Sequence, residues 1–97
     1  MPQEYHTEAF VSALKRKGFR EVASKHHRRF LFVYAVKPVS SIRTRISFGE
    51  RRIGHSLLNL IARQLYLSRQ ELGELIECPL GYDEYVSLLV RRGHLRP

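Results

Sequence analysis

The segment Ser41–Phe48 alternates without a break. Ile42, Thr44, Ile46 and Phe48 fall on one side of an extended chain, and Arg43, Arg45 and Ser47 on the other. Period-two alternation of this kind reads as a strand with one face toward a core and the other toward water. Just upstream, Arg29–Val36 is apolar on both sides: Phe30, Phe32, Tyr34 and Val36 on one, Leu31, Val33 and Ala35 on the other. Such a strand needs cover on both faces, from the chain's own C-terminal part or from a partner. Between the two, Lys37–Ser41 holds Pro38 and two serines and reads as a turn. Phe19–Ala23 is short and extended, and Ser24–His27 is a polar break. Three strands in succession pair as an antiparallel sheet.

Helical patterns frame the strands. Thr7–Lys17 carries an apolar stripe at Phe10, Val11 and Leu14, with Thr7 as expected N-cap and Gly18 as the left-handed residue that ends it. Ser56–Tyr66 places Leu57, Leu58, Ile61 and Leu65 on one side. Ser68-Arg-Gln-Glu71 is a capping box that starts a helix through about Glu77. Pro79 and Gly81 break the chain before a last amphipathic helix, Tyr82–Arg92. The expected order is α-β-β-β-α-α-α, an α+β layer with helices packed on one face of a three-stranded antiparallel sheet. A chain of 97 residues forms one domain, 1–97, with a modest core.

Several classes are excluded. The longest strictly apolar run, Phe30–Val36, is too short for a bilayer. The start MPQEYHTEAF lacks the pattern of a signal peptide. The single cysteine rules out an internal disulfide and a multi-cysteine zinc site. The expected home is the cytoplasm, with no membrane partner. Cys78, before Pro79 at a helix end, reads as a buried small residue rather than a nucleophile.

Charge is unevenly placed. Residues 15–55 hold 12 Lys and Arg against Glu21 and Glu50, while residues 56–97 hold 5 of each sign. A field confined to one stretch concentrates a polyanion, so RNA is the expected partner. An acidic protein, or a solvated basic surface with no partner, would carry the same charge.

Five histidines are present, with no i, i+4 pair on a helix and no carboxylate–histidine cluster, so no metal is expected. No glycine-rich phosphate loop calls for a cofactor. The informative run is Ser24-Lys25-His26-His27-Arg28-Arg29. Neighbouring cations favour an uncharged imidazole. RNA cleavage needs a base for the 2′-hydroxyl proton and cations to steady charge on the phosphorane. A histidine flanked by Lys and Arg supplies both. His26 and His27 are adjacent, so on a regular strand they point to opposite faces and cannot both serve one phosphate. Taken on residue chemistry alone, the run serves equally as a basic contact loop. The face of Arg43 and Arg45 reads as a backbone clamp or a solvated face, and Gly49–Gly54, with Arg51 and Arg52, as a basic loop.

Four runs are familiar: Leu14-Lys15-Arg16-Lys17-Gly18-Phe19, Lys25-His26-His27-Arg28-Arg29-Phe30, Thr44-Arg45-Ile46-Ser47 and Ile61-Ala62-Arg63-Gln64-Leu65-Tyr66-Leu67-Ser68. Over roughly Glu8 to Ile76 the chain resembles the HicA-type toxins of prokaryotic toxin–antitoxin pairs. The resemblance implies a double-stranded-RNA-binding-like α-β-β-β-α core over 7–77; residues 78–97 extend beyond the family module, and their acidic, tyrosine-bearing helix is expected to cover one apolar face of Arg29–Val36. The resemblance also implies a metal-free mRNA interferase with one catalytic histidine, covered by a HicB-type antitoxin. The family pattern is glycine-serine-histidine before an aromatic strand. Here the glycine is absent, so either histidine can match: His27 stands three before Phe30, the family offset, and His26, slightly favoured, directly follows Lys25. On this reading Lys25, Arg28 and Arg29 hold phosphate, Arg43 and Arg45 extend the track, and Arg51 and Arg52 contact RNA backbone. The competing expectations are a non-catalytic RNA-binding module and a domain that binds an acidic protein; all three are compatible with an oligomer.

Overall fold

The element order is β1 (Tyr5–His6), α1 (Thr7–Arg16), β2 (Phe19–Ala23), β3 (His27–Tyr34), β4 (Lys37–Ser47), β5 (Arg52–Ile53), α2 (His55–Gln64), α3 (Arg69–Glu77) and α4 (Tyr82–Arg91). They come from a computed structural model that describes residues 4–77 and 79–96; the expectation for Cys78 lies outside them. The protein is α+β, and β2-β3-β4 form the expected three-stranded antiparallel sheet. Among the described residues, no helix is long and apolar enough to cross a membrane.

One face of the sheet is core. Phe19, Phe30, Phe32, Ile42 and Ile46 are buried with Phe10 and Leu14 of α1, Leu58 and Ile61 of α2, Leu72 and Leu75 of α3, and Tyr85 and Leu89 of α4. The C-terminal helix contributes directly. Tyr82 and Tyr85 lie 5.5 and 5.1 Å, ring to ring, from Phe32, and the Tyr85 hydroxyl donates to the Leu65 carbonyl at 2.9 Å. Burial of that hydroxyl holds the Tyr85 pKa above its ordinary value.

The chain's own C-terminal part covers one face of the sheet only, and the other is left open by this chain. Arg20, Val22, Arg29, Arg43, Arg45 and Ser47 are exposed there, and His27, Leu31 and Val33 half-buried. Val36, expected on the apolar strand, is 90% exposed. The strand ends at Tyr34, and the chain reverses at Ala35 and Val36, with φ of 52° and 65°. Two positive φ angles between paired Tyr34 and Lys37 make a tight hairpin turn of the kind usually built from Asn-Gly. The turn thus precedes Pro38 instead of containing it. Pro38 pairs with Val33, whose N–H points away to the Gly18 carbonyl at 2.9 Å. The pair is therefore not hydrogen-bonded, and the missing donor of Pro38 faces the free edge of β4. A register shift between Leu31 and Phe32 then bulges β4.

Other departures are local. β1 pairs with β5, so part of the expected loop Gly49–Gly54 is a strand. That ribbon carries into α1: the Thr7 N–H donates to the Arg51 carbonyl, His6 occupies the N-cap, and the Thr7 hydroxyl is buried without a partner. Phe48 lies beyond the end of β4 and is 51% exposed. Lys17, just past the end of α1, is buried; its ammonium donates to the Leu75 and Leu80 carbonyls at 2.6 and 2.7 Å, tying α1 to the end of α3.

Gly18 ends α1 with φ of 97°, as expected, and a Cβ there would stand 2.6 Å from the Tyr82 ring. The capping box of α3 is formed: the Glu71 N–H donates to the Ser68 hydroxyl and the Ser68 N–H to the Glu71 carboxylate. Arg92 also grips that carboxylate at 2.7 Å, and the guanidinium, with the Ser68 N–H, holds the Glu71 pKa down to about 2.

Candidate functional site

A cleft of about 630 Å³ runs from the open sheet face over the free edge of β4 to the end of α2, lined by Ser24, His27, Arg29, Ser41, Arg43, Thr44, Arg45, Gln64 and Tyr66. Its basic side follows from strand register. His27 and Arg29 are two apart on β3, so both side chains leave the same face. Ser47 stands opposite His27, Arg45 opposite Arg29 and Arg43 opposite Leu31. Arginines directly across an antiparallel pair repel one another. No acid relieves them: among the described residues, the ion pairs engage Lys15, Arg28, Arg52 and Arg92, and none of Arg29, Arg43 or Arg45.

The tandem histidines are separated by the β2–β3 hairpin. The Ser24 N–H and hydroxyl both donate to the His27 carbonyl at 3.0 Å, closing a turn with Lys25 and His26 at its exposed tip. His27 begins β3 and lines the cleft; His26 does not.

Arg28 leaves the opposite face. Its guanidinium meets Glu21 at 2.7 Å and also binds Glu8. These bonds hold the Glu21 carboxyl at about 2, hold Glu8 below its ordinary value and raise Arg28. Arg28 is thus committed to joining α1 to β2. Arg52 pairs with Glu4 at 2.8 Å on the small β1–β5 ribbon, and Arg51 precedes it there; neither lines the cleft. Of the residues expected at the site, the structure gathers His27, Arg29, Arg43 and Arg45, and sets Lys25, His26, Arg28, Arg51 and Arg52 apart from them.

The opposite wall, of Thr44, Gln64 and Tyr66, is not among the residues expected from the sequence. The buried Thr44 hydroxyl donates to Gln64 Oε1, and the Tyr66 hydroxyl donates to the Ser41 carbonyl at 3.1 Å. Tyr66 is fixed from behind by His94, whose ring stacks on it at 3.7 Å, and by Arg92, which donates to its carbonyl at 2.8 Å.

Such an arrangement can hold a phosphodiester between arginines, with an imidazole on the same face as a proton acceptor. Among the described residues, no three His, Cys, Asp or Glu side chains are grouped to hold a metal ion. Comparison with protein-family models, with curated proteins and with solved structures finds no match.

Proposed function

We propose that this chain binds RNA on the open face of its sheet and cleaves it without metal, in the manner of the HicA-type toxins its motifs resemble. The observation that carries the reading is the row of three arginines on the same sheet face as the half-buried His27, two of them directly opposed and none ion-paired with an acid among the described residues. Unrelieved like charge costs stability in the free protein, and a polyphosphate removes that cost.

In the reaction His27 takes the proton of a 2′-hydroxyl. The 2′-oxygen attacks the adjacent phosphorus, the bond to the 5′-oxygen breaks, and water returns a proton to that leaving oxygen. Arg29, Arg43 and Arg45 hold the non-bridging oxygens as charge grows on them. Lys25 and His26, at the hairpin tip, extend the contact along the backbone. The succession of α1, the three strands of the larger sheet and α2 supports the double-stranded-RNA-binding-like reading of residues 7–77. The same cleft is where a HicB-type antitoxin would sit.

Binding tests the electrostatic half of this reading. Log affinity for a single-stranded RNA falls with log salt by about 0.7 per phosphate neutralised. The double variant Arg43→Ala/Arg45→Ala is expected to bind more weakly and to lower that slope by about 1.4, two contacts' worth. Titrations by fluorescence anisotropy between 50 and 200 mM salt, a range set by that relation, measure it. An unchanged slope would place the RNA elsewhere; negligible binding at low salt would favour a surface for an acidic protein.

A further inference from the structure

Tyr66 stands where a helix would ordinarily place glycine. It stands one residue past Leu65, the C-cap of α2, with φ of 61°, and the chain around it closes a full helix-ending motif: the Leu67 N–H donates to the Ala62 carbonyl at 2.9 Å and the Tyr66 N–H to the Arg63 carbonyl at 3.2 Å. The end of α4 closes in the same way, with Gly93 at φ of 79° and the His94 N–H on the Leu89 carbonyl at 2.8 Å. The second turn delivers His94 onto the Tyr66 ring. A bulky side chain held in the left-handed region is strained, and such strain collects where a site needs it. Here four restraints (the stack, the two hydrogen bonds to Ser41 and from Arg92, and the helix-ending bonds) fix an aromatic ring in the wall of the cleft.

Gln64, beside it, is equally constrained. Its carbonyl oxygen is taken by the Thr44 hydroxyl. That contact orients the amide, whose two N–H donors remain for the cleft that Gln64 lines.

We infer that Gln64 and Tyr66 form a base-selecting subsite for one unpaired ribonucleotide. Its base packs against Tyr66 and accepts hydrogen bonds from the Gln64 amide, while Arg29, Arg43 and Arg45 hold the adjoining phosphates. This rests on the RNA-binding reading and deepens it, from RNA in general to a single-stranded segment with a preferred base. A base stacked in a helix cannot present itself to an aromatic wall, whereas a splayed one can. The cleft volume of about 630 Å³ lies within the ordinary range for small-ligand sites.

The test uses the full chain and short RNA oligomers of A, C, G or U, with a duplex of equal length as competitor, read by fluorescence anisotropy at fixed low salt. The native chain is expected to prefer one base by roughly fivefold or more, about the worth of one amide hydrogen bond, and to prefer the single strand over the duplex. Gln64→Leu should flatten the base preference with little change in salt slope. Tyr66→Gly keeps the left-handed backbone and so spares the fold; it should weaken binding of all four oligomers roughly five- to tenfold. Tyr66→Phe keeps the ring and should retain the preference. Equal binding of all four bases, with Gln64→Leu indistinguishable from the native chain, overturns the subsite, as does equal competition by duplex. If the native chain binds none of the oligomers, the RNA-binding reading itself fails, and the subsite with it.

Discussion

His27→Ala is expected to slow cleavage of a purified single-stranded RNA, in the presence of EDTA, by roughly 100-fold or more, the usual contribution of a positioned general base. His26→Ala is expected to cost far less. The difference follows from the hairpin. The Ser24–His27 closure puts His26 at an exposed tip and starts β3 at His27, so that only His27 shares a face with Arg29, Arg43 and Arg45. Since the His27 side chain is only half-buried, its truncation should leave the unfolding midpoint nearly unchanged. Affinity for RNA should also survive, because the arginines supply the grip. Equal loss from His26→Ala would move the base to the tip; no loss from either would leave a binding module without catalysis.

The largest expected effect on stability is at Phe32. It is wholly buried and joins Phe19, Tyr82 and Tyr85 at centroid distances of 5.2, 5.5 and 5.1 Å. One ring therefore links the sheet to the C-terminal helix. Phe32→Ala removes that ring and leaves a cavity walled by three other aromatics, at a cost of about 3–5 kcal/mol. Against a total of about 5–15 kcal/mol for a small domain, this is a large share. Urea unfolding followed by circular dichroism should show a midpoint lowered in proportion. A change under about 1 kcal/mol would mean that α4 does not pack on the sheet as described.

Much of this architecture is written in short-range pattern. The alternation from Ile42 to Ser47 specifies which side of β4 is core and which carries arginine, because side-chain direction in a strand depends on parity alone. Ser68 and Glu71 declare a helix start because each caps the other within one turn. Gly18 marks an end because few other residues take its φ. What escaped the sequence depends on contacts between distant segments. Nothing local tells that Arg28 is neutralised by Glu8 and Glu21 while Arg29, its neighbour, is not. Nor does anything local tell that Lys17, at a helix end, is held by the carbonyls of Leu75 and Leu80. The turn at Ala35 and Val36 carries no Asn or Gly, so Pro38 drew attention to the wrong place. Two-residue strands such as Tyr5–His6 have no period to detect. Gln64 and Tyr66 read as ordinary members of the expected helix, because nothing local tells that the chain turns left-handed at a tyrosine.

The central claim is that RNA lies on the open face of the sheet and over the edge of β4. It is tested most directly by NMR, titrating a short single-stranded RNA into the isotope-labelled chain at low salt. The account predicts shifts centred on Ser24, His27, Arg29, Arg43, Arg45, Gln64 and Tyr66, with the Arg28–Glu21 contact and the β1–β5 ribbon undisturbed. Shifts centred on that ribbon, or no shifts at all, would contradict it.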